Sequence, residues 1–329
     1  NTVSRIACDG SGNVYIDTGH GLAEFRDRKW TEQPAQDSAR SWKEVTWYPS
    51  LAAHVGTKEN IRGQATRNGE IAVAATNGLY IGDGEKWSLA LPRDGDTRWA
   101  PVDVRAVDYD PDGHLWFACP QGVGYRVKDD EWRLFTGEDG LPFNEFTCMA
   151  AGAKGVWFGT TNGAIRYIDG DFEFRQGRRW LLDNYVRDIA VTPDGSVWFA
   201  TAAGVSCIEF RQTTLAKKAA QFDDAIDKHH RRTRLGYVNP AKLSAPGDAD
   251  TAVAEATDND GHFTGIYLGA ASLGYAATKS DKLRRDAVKA FEALAFLGEV
   301  TEGGTHPAPK GFIARAVEPR SGPDPNEKE

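Results

Sequence analysis

The chain has 329 residues, 40% of them hydrophobic and 26% charged, and carries a net charge of −8. That length admits two domains of ordinary size, and the acidic balance argues against nucleic acid as the main partner. No stretch of about 20 consecutive apolar residues occurs, so nothing reads as a membrane-spanning helix.

From the N-terminus, one pattern of short alternating hydrophobic segments and glycine turns appears five times. Its first copy includes Val3, Ile6, Asp9, Gly12, Val14, Ile16, Gly21 and Leu22, and its fifth Val186, Ile189, Asp194, Gly195, Val197, Trp198, Phe199 and Gly204. The turn glycines recur at Gly12, Gly69, Gly113, Gly155 and Gly195. These intervals fall near the period of roughly 40–50 residues expected of propeller blades. Each copy reads as strand, tight turn, strand, glycine turn, strand. The turn dipeptides supply the positive φ that short hairpins need. Trp30, Trp87, Trp132, and Phe172 with Phe174 announce a fourth strand in most copies. The predicted fold is therefore mostly β with an α-helical C-terminal part: a β-propeller of at least five four-stranded blades over residues 1–211. The Trp-Phe pairs at 116–117, 157–158 and 198–199 are locked to the period and read as packing between blades.

Segments such as VRDIAVTPDGSVWFATAAGVSCIEF and GLPFNEFTCMAAGAKGVWFGTTNGAIRY resemble the two-component-regulator propeller repeat. The resemblance covers roughly residues 1 to 210 and implies the fold. It says less about function, because the repeat occurs both in sensory ectodomains and in secreted polysaccharide-degrading enzymes. Such proteins commonly have seven blades or multiples of seven. With five visible, either two precede Asn1 or the ring closes differently.

The long first interval leaves an insertion between Trp30 and Asn60 that is off the repeat register. Loops between blades project from the disc and often carry binding residues. Trp42, Trp47 and Tyr48 are therefore candidate sugar-binding aromatics, with packing of the loop onto its own blade as the alternative.

Near Thr213 the period changes from 2 to 3.6. TTLAKKAAQFDDAIDKHHRR starts a helix capped by Thr213 or Thr214, with apolar residues at 215, 219, 222 and 226. A polar stretch over 236–257 precedes two further helices, at about 262–279 and 281–300. The first is apolar nearly all round and rich in Gly and Ala. The second carries Leu283, Val288, Phe291, Leu294 and Leu297 as one stripe. The helical domain spans 212–318, and the polar tail 319–329 reads as disordered.

Asp258, Asn259, Asp260 and His262 converge within five residues ahead of the first long helix. Such a group can cap the helix, act as general acid or base, or contribute oxygen ligands to Ca²⁺. No cofactor is otherwise indicated. The four cysteines, Cys8, Cys119, Cys148 and Cys207, lack C-x-x-C or metal-ligand spacing and read as small buried hydrophobes.

The segment DNDGHFTGIYLGAASLGYAATKSDKLRRDAVKAFEALAFL, with the later GFIARAV, resembles the opening of an α/α-toroid domain of suspected carbohydrate-active proteins. That resemblance implies a cleft faced by Asp258, Asn259, Asp260 and His262, with Tyr267 one turn further in. It also implies that Arg315 could hold an acidic sugar's carboxylate. Only three of the dozen or so helices of a toroid are present, so a second carboxylate could lie outside this sequence.

Two functional readings follow. The first is an exported, extracellular or periplasmic carbohydrate-processing protein. Here His262 or Tyr267 would be a lyase base, or Asp258 and Asp260 the acids of a hydrolase. The alternative is a non-enzymatic ligand-binding sensor module, or a propeller platform that meets a protein partner through its face. A chain beginning at Asn1 fits the processed N-terminus of an exported protein. No P-loop, G-x-S-x-G, dinucleotide fingerprint or H-E-x-x-H occurs, which argues against nucleotide hydrolysis, serine esterase, redox-cofactor and zincin chemistry.

Overall fold

The computed structural model describes residues 3–18, 21–33, 45–245 and 247–321. The chain divides into two units, 1–211 and 212–329.

Among its described residues the first unit contains five antiparallel sheets of three or four strands, each built from a contiguous stretch of chain. Four have four strands: β1–β4 (Arg5–Cys8, Val14–Asp17, Leu22–Arg26, Lys29–Gln33), β5–β8 (Ile61–Arg67, Glu70–Ala75, Gly78–Gly82, Trp87–Leu89), β11–β14 (Ala106–Tyr109, Leu115–Cys119, Gly122–Lys128, Glu131–Phe135) and β15–β18 (Phe146–Gly152, Gly155–Thr160, Gly163–Ile168, Asp171–Arg175). The fifth has three, β19–β21 (Val186–Val191, Val197–Thr201, Gly204–Ile208). A small hairpin, β9–β10 (Arg93–Asp94, Thr97–Arg98), projects between the second and third sheets.

The sheets are stacked as propeller blades through their first strands. β5 lies against β11, β11 against β15, β15 against β19, and β19 against β1. The first blade thus docks on the fifth. Apolar clusters fill each interface. Phe117 and Leu115 meet Ala72 and Leu79 between blades two and three. Trp116 meets Phe158 between three and four, and Trp157 meets Phe199 between four and five. Val14 and Ile16 meet Ala190 and Ala200 between one and five. The period-locked Trp-Phe pairs are packing residues, as a flat blade that cannot bury its faces alone requires.

The other face of blade two is covered by the insertion. Leu51 and Val55, in a 3-10 turn (Pro49–Leu51) and the short helix α1 (Ala52–Val55), pack on Ile61, Ile71, Val73 and Tyr80, with Val45, Trp47, Tyr48 and Trp87 around them.

In the second unit, α2 (Leu215–Ala225) is capped by Thr214 and runs into a π-helical turn, Ile226–His230. Two small antiparallel pairs follow: β22–β23 (Arg231–Arg232, Tyr237–Val238) and β24–β25 (Ala241–Leu243, Ala252–Ala254). α3 (Asp260–Thr278) and α4 (Asp281–Glu299), the latter capped by Ser280, pack side by side. Tyr267, Ala271, Ala290, Ala293 and Leu297 form the buried contacts, with Tyr237 and Val238 of β23. The expected α4 stripe divides. Leu294 and Leu297 turn inward, but Val288 and Phe291 are exposed, and Ala290 and Ala293 take the buried positions of the helix face instead. Leu215 and Phe222 of α2 are exposed as well.

No helix among the described residues is long and apolar enough to cross a membrane. All four cysteines are free. Cys119 and Cys148 are buried and Cys8 and Cys207 half-buried. Burial pushes the Cys207 thiol up to about 12, with Glu209 and Asp194 adding to it.

Candidate functional site

In the helical unit the residues singled out by sequence occupy different environments. Asp260, in the first turn of α3, is 0% exposed. Its Oδ1 accepts a hydrogen bond from Asn239 Nδ2 at 2.5 Å, and its Oδ2 accepts from the Val317 N–H at 3.0 Å and from the Arg232 guanidinium. Arg232 also pairs with Glu318 at 3.0 Å. Buried charges persist only when paired and hydrogen-bonded, and Asp260 meets that condition as an anchor between β22, α3 and the C-terminal segment. Asp258 lies outside this knot. It is exposed and pairs with exposed Arg315 at 3.1 Å. Asn259 occupies the N-cap position, where its side chain makes no capping bond, and is exposed. His262 is exposed, its ring edge-on to Phe263.

Tyr267 is buried, and its hydroxyl donates to Asp223 of α2 at 3.0 Å, with the Arg231 guanidinium 4.5 Å from its ring centroid. Burial pushes the phenol well above its ordinary range. Arg231 opposes the shift, while Asp223 and Asp286 reinforce it. A phenol so placed keeps its proton. Lys282 bridges the same carboxylates, at 3.2 Å from Asp223, 2.9 Å from Asp227 and 2.8 Å from Asp286. The structure thus brings Asp258 to Arg315 and ties Asp260 to Arg232, and it turns the Tyr267 hydroxyl to a separate cluster.

In the propeller unit, Trp47 and Tyr48 belong to the cover on blade two, and Tyr48 packs on Trp87 with ring centroids 5.4 Å apart. Trp42 lies outside the described residues. One metal-compatible group occurs among the described residues, Asp110, Asp112 and His114 in the turn after β11. Asp110 Oδ2 already receives hydrogen bonds from Trp116 Nε1 and His114 Nδ1, both at 2.9 Å, so the cluster serves its own turn.

One concave site of this unit is a cavity of about 360 Å³ at the centre of the blades, lined by the first strand of all five. Its polar lining includes Arg5, Arg62, Gln64, Arg105, Asp108 and Asp188. Arg62 and Arg105 converge on Asp103, at 3.9 and 2.5 Å. Asp108 and Asp188 each reach a neighbouring blade: Asp108 Oδ2 accepts from the Ala151 N–H at 3.2 Å, and Asp188 Oδ2 from the Ile6 N–H at 3.0 Å.

The placement of Arg62 has a local cause. The ladders of β5, β15 and β19 slip by one residue between Ile61 and Gly63, Phe146 and Cys148, and Val186 and Asp188. Each slip is a bulge at the position after a buried residue that opens the strand. Bulges re-aim the side chain they carry. Arg62 and Arg187 occupy two of them and Thr147 the third, and Arg105 stands at the corresponding place ahead of β11. Thr147 instead donates to the Val186 carbonyl at 2.6 Å. Sequence reasoning passed over these arginines. The signal was an arginine directly after the hydrophobic residue that opens the inner strand, in three of the five repeats.

Residues 181–203 match the family of the two component regulator propeller. No curated protein matches the chain. Among solved structures, the chain is similar to the extracellular domain of a protein described as the hybrid two component system BT3049 of B. thetaiotaomicron, at 20% identity over 63% of this chain and 27% of that one, with a TM-score of 0.38. A second such domain from B. thetaiotaomicron, of BT4673, aligns at 16% identity over 65% and 28%, with a TM-score of 0.40. PorZ, a surface component of the type-IX secretion system of Porphyromonas gingivalis, aligns at 14% identity over 67% and 33%, with a TM-score of 0.37. The aligned region spans about a third or less of each of these proteins. In its fifth blade, then, this chain carries the two component regulator propeller repeat.

Proposed function

We propose that the chain is an exported, non-enzymatic sensing or interaction module whose ligand site is the central cavity of the propeller. The observation that carries this reading is the pair Arg62 and Arg105, which line that cavity from neighbouring blades and converge on Asp103. Guanidinium groups bind carboxylates and other anions through paired donors. The ligand class is therefore a small molecule, or the end of a larger one, that carries an anionic group and displaces Asp103 from the arginines. The match of residues 181–203 to the two component regulator propeller agrees with a sensing module. The saturated bonding of Asp260 and the protonated Tyr267 phenol favour sensing over degradation.

The test is calorimetric titration of the whole chain with a panel of carboxylates, uronate oligosaccharides included, against their neutral counterparts. Binding of an anionic compound that weakens at least about tenfold in Arg62→Ala and Arg105→Ala is the expected result. Binding of neutral sugars alone, indifferent to both substitutions, would overturn the assignment. Localisation of the tagged protein in its native cell checks export.

A further inference from the structure

The segment 312–318 crosses the N-terminal end of α3 without regular secondary structure. It follows residues 303–311, which include Gly303, Gly304, Pro307, Pro309 and Gly311 and connect it to the end of α4. What holds the segment is a set of contacts addressed to its main chain. The Val317 N–H donates to Asp260 Oδ2 at 3.0 Å, and the Val317 carbonyl accepts from Arg232 Nη2 at 2.7 Å. Both polar groups of one peptide residue are therefore read by one buried ion pair, as a neighbouring strand would read them. Arg232 Nη1 then takes the Glu318 carboxylate at 3.0 Å. The side chains of Ala314 and Val317 pack on Tyr237, Ala293 and Leu297, and the Ala314 N–H donates to the Leu297 carbonyl at 2.9 Å.

We propose that Arg232, Asp260 and Asn239, with the adjoining apolar cluster, form a receptor for an extended peptide that bears a carboxylate, and that the chain's own segment 314–318 occupies it in cis. The ligand it selects has small apolar residues three positions apart followed directly by an acid, the pattern of Ala314, Val317 and Glu318. A second observation concerns how well the present occupant fits. Arg232 Nε and Asn239 Oδ1 are buried and make no hydrogen bond, although a buried polar group normally finds a partner. The cis segment thus leaves one donor and one acceptor of the receptor unanswered. A peptide from a partner protein that supplies both competes with a tethered occupant, which otherwise has the advantage of high local concentration. This site lies wholly in the helical unit and is independent of the reading given to the propeller cavity.

The probe is a fluorescent decapeptide with the sequence of residues 311–320, GFIARAVEPR, added to the full chain carrying Val317→Pro and Glu318→Gln, which loosen the native segment. Saturable binding is expected. It should weaken at least about tenfold when the peptide is N-methylated at the valine nitrogen, and also when its glutamate is replaced by glutamine, since both remove hydrogen bonds to charged groups. No binding, or equal binding of the methylated peptide, overturns the proposal. Should the loosened variant fail to fold, the chain carrying Glu318→Gln alone answers by hydrogen exchange. Its Val317 amide is protected, and it loses protection in excess unlabelled peptide, which keeps the glutamate that the weakened segment lacks. Protection that excess peptide leaves unchanged refutes the receptor.

Discussion

The carboxylate of Asp188, on the inner strand of the fifth blade, accepts a hydrogen bond from the Ile6 N–H on the inner strand of the first, at 3.0 Å. Cys8 adds a second link, its thiol donating to the Val191 carbonyl at 2.9 Å. Together with the apolar cluster around Val14 and Ala200, these contacts join the two ends of the repeat array.

Replacing Asp188 with alanine leaves the half-buried Ile6 amide without that acceptor, which costs about 1–3 kcal/mol. The expected result in chemical denaturation is a lower midpoint. Faster exchange of the Ile6 amide, with amides of blade three unaffected, places the loss at the junction of blades one and five.

Asp110 predicts an acid-sensitive contribution. Burial raises its pKa, but hydrogen bonds from Trp116 and from the His114 side chain and backbone outweigh that and hold it below the usual carboxylate value. A carboxylate depressed in the folded state contributes stability that is complete above its unfolded value of about 3.9 and is lost as the pH falls through the folded one. Asp110→Asn should therefore melt below the wild type at pH 7, with the difference narrowing below about pH 4. Melting curves between pH 3 and 7 measure it.

Gly159 in β16 has no room for a methyl group. A Cβ there would stand 2.4 Å from Cys148 Sγ and 2.7 Å from Val186 Cγ1. Gly159→Ala should cost about 1–3 kcal/mol by overpacking the interface of blades four and five. The unfolding midpoint in urea reads this.

The opposite holds in α3. A Cβ at Gly265 or Gly269 meets nothing within 4 Å, and both lie inside a helix. Each substitution to alanine should stabilise the helix by about 0.4–1 kcal/mol, because glycine carries the larger loss of backbone freedom on folding. Calorimetric melting of the two variants gives the gain directly.

The propeller was legible because its signal is periodic. Glycines at 12, 69, 113, 155 and 195 and aromatics at fixed offsets state the same four-strand unit repeatedly, whereas the fifth sheet has three strands among the described residues, one fewer than that unit implies. The extents of α3 and α4 were close to those expected, from the apolar Gly- and Ala-rich run of the first and the apolar stripe of the second. Strands of two or three residues, such as β22–β23, are too short to carry a period, so the stretch around 236–257 read as polar loop. The surroundings of the candidate residues were hidden for a related reason. Asp260 is defined by Arg232 and Val317, 28 and 57 residues away, and no local pattern announces such pairings. Trp47 and Tyr48 stood off the repeat register because they cover a blade face rather than extend a sheet.

The docking of blade one on blade five has a mechanical consequence. Each blade is a contiguous piece of chain, so among the described residues no strand is shared across that junction. Val3, ahead of the first strand, and Ile208, at the end of the last, belong to the two blades that meet there. A pull on the propeller through its two chain ends therefore loads this junction first. The resistance comes from side-chain packing and a few hydrogen bonds rather than from a backbone ladder.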